Sequence, residues 1–72
     1  MAAPILTPVD SSWVEALGHD PEAQELWLRT KGGRTYVYSG VPRYVYNLMR
    51  DANSTGKAFN RLALKKYPVR RA

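Results

Sequence analysis

The hydrophobic period of this chain changes once, at Gly40-Val41-Pro42, and that change predicts a sheet followed by helices. Upstream, apolar residues alternate. From Ser11 to Asp20 the pattern is that of a strand, with Val14 and Ala16 set against Trp13, Glu15 and Leu17. Gly18 to Gln24 breaks it, and Asp20-Pro21 is a strong turn starter. Glu25 to Thr30 alternates again, placing Leu26 and Leu28 on one side and Trp27 on the other. Lys31-Gly32-Gly33-Arg34 supplies the positive φ of a hairpin connection, and Thr35 to Ser39 is rich in β-formers.

Downstream the period is helical. Pro42 suits a first helical turn, and Val45, Leu48, Met49 and Ala52 fall at i, i+3, i+4, i+7 as one apolar stripe. Asn53 to Gly56 ends that helix and offers Ser54 as the cap of another. The second helix buries Ala58, Phe59 and Leu62 and leaves Lys57, Arg61 and Lys65 outside. The expected fold is α+β: a three-stranded antiparallel meander over residues 12–39, then helices near 42–52 and 55–65 on one face of it (β-β-β-α-α). Its expected core is Leu26, Leu28, Tyr36, Tyr38, Val45, Leu48, Phe59 and Leu62. Residues 1–10, with Pro4 and Pro8, read as a loosely docked arm, residues 11–69 as the domain, and residues 70–72 as a basic tail.

Seventy-two residues make one domain, and its core yields only about 3–5 kcal/mol of net stability. Cysteine is absent, which argues against a stapled secreted scaffold and against thiolate chemistry. No apolar run approaches the roughly 20 residues that span a bilayer, and the N-terminus lacks a signal-peptide n-region. A cytoplasmic location without membrane contact is the expectation.

Catalytic candidates are thin. His19 is the only histidine, sits where a turn is expected, and has no Cys or second His to share a metal. Ser11-Ser12 reads as a local backbone hydrogen-bonding device rather than a nucleophile. Lys31-Gly-Gly-Arg34 lacks the glycine spacing and following Lys-Ser/Thr of a phosphate loop. The residues therefore point to a binding protein with no enzymatic activity, cofactor, metal or small-molecule substrate.

Charge is divided along the chain. Residues 1–28 hold five acids and no Lys or Arg, whereas residues 29–72 hold all eleven Lys and Arg against the single Asp51. Such polarity orients a partner on approach. Lys57, Arg61, Lys65, Lys66, Arg70 and Arg71 recur at near-helical spacing without an interleaved acid, a stripe suited to phosphates or to an acidic protein groove. The plainer reading is a solvated helix face.

Tyr36 and Tyr38 share a sheet face and are read as core, although such a pair also suits base stacking. That choice puts Trp27 and Val37 on the face the helices do not cover. Trp27, with Arg29 beside it, is then a candidate hot spot joined by Ile5 and Leu6 of the arm. The alternative is that Ile5 or Leu6 folds over Trp27 and merely covers it.

Ser11-Ser12, Gly18-His-Asp-Pro21, Gly33 with Tyr36-Val-Tyr38, Val41-Pro42, Ala52-Asn-Ser-Thr-Gly56, Phe59-Asn60 and Tyr67-Pro68 stand in an order and spacing that resembles the KTSC domain. This short module is named for its occurrence at the C-terminus of some lysyl-tRNA synthetases. The resemblance covers about residues 11–69. It departs at His19 and Thr55, where the family more often has Tyr and Lys, and at Trp27, usually a polar position. It implies a stand-alone, non-catalytic protein of bacteria or phages, for which RNA binding has been suggested. Phage members also look similar to small proteins that redirect host RNA polymerase. Two expectations follow for this chain, taken as a monomer. It docks on a protein component of the transcription or RNA machinery, RNA polymerase foremost, or it binds RNA directly through the basic stripe.

Overall fold

The computed structural model describes residues 4–63 and 65–72. Residues 1–3 of the expected arm and Leu64 of the expected second helix lie outside these. The elements run β1 (Thr7–Pro8), β2 (Val14–Asp20), β3 (Glu25–Thr30), β4 (Thr35–Ser39), α1 (Arg43–Asp51), α2 (Thr55–Leu62) and β5 (Val69–Arg71). All neighbouring strands are antiparallel, in the order β1-β2-β3-β4-β5. The fold is α+β, and the expected meander is its centre. The expectation of three strands is too few: a piece of the arm pairs with β2, and part of the basic tail returns past the helices to pair with β4. Two- and three-residue strands are too short to show a hydrophobic period.

The core lies between the sheet and the helices. Val14, Leu17, Leu26, Leu28 and Tyr38 meet Val45, Tyr46 and Met49 of α1 and Ala58 and Phe59 of α2 in one buried cluster. Phe59 is its hinge, edge-on to Tyr38 with ring centroids 5.1 Å apart and to Trp13 at 5.6 Å. Gly56 has to be a glycine for this packing, because a Cβ there would collide with the Trp13 indole and with Ser11 Oγ. Ser11 Oγ in turn accepts from the backbone N–H of Trp13 and Val14 at 3.3 and 3.2 Å, the local role expected of it.

Three details correct the sequence reading. Between Val14 and Ala16 the β2–β3 register slips by one residue, so Val14 and Leu17 face the helices and Ala16 lies opposite Arg29 on the other side. Strict alternation had put Val14 and Ala16 together. Next, α1 is rolled so that Tyr46, stacked on His19 at 5.7 Å, takes the buried position expected of Leu48, which is 55% exposed. Tyr36 and Leu62 are half-buried against the core, and the other five expected core residues are buried. Finally, α2 ends at Leu62 rather than near residue 65, and Lys65 takes a left-handed φ of 64°. Its cap is as expected, Ser54 accepting from the Lys57 N–H at 3.4 Å.

Candidate interaction surfaces

Directly opposed residues of antiparallel strands point to the same side of a sheet. Gly18, Trp27, Val37 and Arg70 are opposed in turn across β2, β3, β4 and β5, so they form one row on the face away from the helices. Trp27 is on that face, as alternation predicts. It is half-buried, and its indole N–H donates to Glu25 Oε1 at 3.3 Å. Of the two arm residues offered as its cover, Leu6 reaches the neighbouring Gly18, where a Cβ would stand 2.6 Å from Leu6 Cδ2, and Pro4, Leu6, Trp27 and Arg29 line one shallow cleft. Ile5 is 90% exposed. Val37, expected to be an accessible partner contact, is fully buried at 0%. Arg29 is exposed and lies 3.8 Å from Glu15, and Arg70 is held 2.9 Å from Glu25. The row is therefore largely closed by its own side chains.

The expected basic stripe does not lie along one helix face. Lys57 and Arg61 are exposed on α2, while Lys65 and Lys66 lie beyond its end in the turn toward β5. In β5, Arg70 aligns with Val37 on the far face and Arg71 with Tyr36 on the helix side. A near-helical spacing in sequence carried no helical stripe once the helix stopped at Leu62.

His19 is not in a turn. It is the penultimate residue of β2, is 6% exposed, and its Nε2–H donates to the Val41 carbonyl at 2.7 Å. Nδ1 is buried without a partner among the described residues. The Tyr46 ring that covers it carries the guanidinium groups of Arg43 and Arg50 at 5.2 and 5.5 Å from its centroid. Arg50 also bonds Asp51 at 3.0 Å, which holds that carboxyl below its ordinary value and raises the guanidinium.

A family model of the KTSC domain matches residues 10–67. The chain belongs to the KTSC domain family. A crystal structure of a KTSC domain protein from Yersinia pestis superposes with a TM-score of 0.90 at 31% identity, covering 97% of this chain and 99% of that one. A protein of Tsukamurella paurometabola is 42% identical over 62 residues, 86% of this chain and 92% of its own length. A Stutzerimonas stutzeri protein is 37% identical over 54 residues, 75% of this chain and 76% of its own.

The surface of this KTSC domain that sequence reasoning missed is the outer side of α1. Tyr44 and Leu48, one turn apart, are 65% and 55% exposed. A further turn on, Ala52 lines a shallow depression with Asn53, Ser54, Lys57, Ala58 and Arg61. An apolar pair thus leads into a cationic rim. Its signal is the i, i+4 pair Tyr44 and Leu48, set about 100° round the helix from Val45 and Met49, and assigning Leu48 to the core hides it. Among the described residues, no three His, Cys, Asp or Glu side chains gather as a metal centre, and no helix is long and apolar enough to cross a membrane.

Proposed function

We propose that this KTSC domain is a non-catalytic docking protein that engages a protein component of the transcription or RNA machinery through the outer face of its helices. The observation that carries the reading is the exposed Tyr44–Leu48 pair running into the depression flanked by Lys57 and Arg61. Protein interfaces combine an apolar anchor with a polar rim that sets orientation, and Tyr is enriched among their hot spots. The Trp27 face is the poorer anchor, because Leu6 and the Arg70–Glu25 pair already occupy it. The class of partner comes from the resemblance to phage proteins that act on RNA polymerase, so purified polymerase is the first partner to test.

The test is binding of nuclease-treated polymerase to the intact chain at low and high salt. Leu48→Glu is expected to weaken it by on the order of tenfold or more, the scale of a hot-spot loss. Lys57→Glu with Arg61→Glu should mainly reduce the association rate and its salt dependence. Binding that disappears with nuclease and falls steeply with salt, unmoved by Leu48→Glu, would replace this reading with direct RNA binding through the lysines and arginines.

A further inference from the structure

β5 is the last strand of the sheet, and among the described residues no strand pairs with its outer side. Ser39 N–H donates to the Pro68 carbonyl at 2.9 Å and Ala72 N–H to the Thr35 carbonyl at 3.0 Å, with Arg70 opposite Val37 between them. In an antiparallel ladder, bonded and unbonded pairs alternate. Residues 68, 70 and 72 therefore spend their backbone groups on β4, and Val69 and Arg71 turn theirs outward. Among the described residues, no backbone bond outside the β4 pairing involves Val69 or Arg71.

The side chains at this edge select what can pair with it. Val69 and Arg71 are opposite Tyr38 and Tyr36 and so share the helix-side face, where Val69 is 52% exposed. Lys65 and Lys66 precede them, both exposed, and no acid follows Asp51 in the chain. Arg70 is already held by Glu25 on the other face. Cations on an edge strand deter self-pairing. A second copy would add its own Lys65, Lys66 and Arg71 to the same edge, and that added positive charge favours an acidic segment over it as the occupant.

We propose that the β5 edge takes an extended acidic segment of another protein as a sixth strand. The main chain would bond Val69 and Arg71, and a carboxylate two residues from an apolar side chain would meet Arg71 and Val69. This site is separate from the α1 surface and stands whether or not that surface binds polymerase.

The test uses the full chain and an acetylated, amidated peptide Thr-Glu-Thr-Val-Thr-Glu-Thr, followed by amide NMR. Saturable binding is expected, with shifts centred on residues 65–72 and slowed exchange of the Val69 and Arg71 amides. Val69→Pro retains every charge, removes one outward donor and suits an edge position. It should weaken binding by roughly threefold to tenfold, the scale of one hydrogen bond. Two N-methylated peptides repeat the test on the unaltered protein: methyls along the bonding edge should abolish binding, and methyls along the opposite edge should spare it. Absence of binding, or loss only on Arg71→Glu with Val69→Pro and both methylated peptides unaffected, would overturn the proposal and leave a diffuse cationic patch.

Discussion

The two faces of this sheet are buried by different means. On the helix side, Leu17, Leu26, Leu28 and Tyr38 are covered by side chains arriving from elements that span 17 residues of α1 and α2 together. On the far side no helix is present among the described residues, yet Val37 is as inaccessible as Leu26. Its neighbours in the row are Trp27 and Arg70, and beyond Trp27 lies Gly18 with Leu6 laid upon it. A domain this small has little apolar surface to spare, and the comparison shows a face of mixed chemistry closed by one indole, an ion pair and a short arm. Such a face is buried without being a large core, so its side chains should cost less to remove than those beneath the helices.

The largest effect belongs to the helix side. Phe59 is about 1% exposed and joins α2 to both Tyr38 and Trp13. Phe59→Ala should cost about 3–5 kcal/mol, the cost of truncating a buried aromatic. Against a total of about 3–5 kcal/mol for a chain of this size, that leaves little folded protein. The check is circular dichroism with urea titration, and a cooperative, near-native transition would show that α2 is peripheral.

Trp27→Ala addresses the other face and should cost less, about 2 kcal/mol, because the ring is only half-buried. The far-UV spectrum should remain native while the urea midpoint falls. A loss as large as that of Phe59→Ala would mean that the two faces are energetically equivalent and would break the comparison.

How far the sequence shows these two faces depends on the length of the signal. Alternation in Glu25–Thr30 and Thr35–Ser39 correctly sorted Leu26, Leu28 and Tyr38 from Trp27, because five or six residues carry a clear period of two. In β2 the slipped register at Glu15 reset the phase, which no local pattern announces. The roll of α1 was equally hidden. Tyr46 and Leu48 both extend an apolar stripe, and the choice between them is made by His19, a residue 27 positions away that stacks on one of them. β1 and β5 exist because neighbouring strands offer free edges, which is a property of the tertiary fold rather than of Thr7–Pro8 or Val69–Arg71. Of the candidate surfaces, Trp27, Leu6 and the cations from Lys57 to Arg71 stand out in the sequence, whereas Tyr44 and Leu48 do not. What sequence did not provide was which of them the fold leaves free.

The smallest effect lies at Gly18, where the arm meets the sheet. A Cβ there would stand 2.6 Å from Leu6 Cδ2 and 2.8 Å from the Ile5 carbonyl oxygen. The leucine tip can rotate away, but the carbonyl belongs to the backbone just ahead of β1, so the arm has to shift. Gly18→Ala should therefore cost about 1–2 kcal/mol, within the range of overpacking. Amide shifts should concentrate at Leu6, Thr7 and Val9, and those of α1 and α2 should stay in place. A double-mutant cycle isolates the cause. In a chain lacking residues 1–6 the three atoms nearest that Cβ are gone, and the added methyl should be nearly neutral there. An equal cost in both backgrounds would place the penalty in β2 itself. The far face would then be held by Trp27 and the Arg70–Glu25 pair, with the arm lying on it as a passenger.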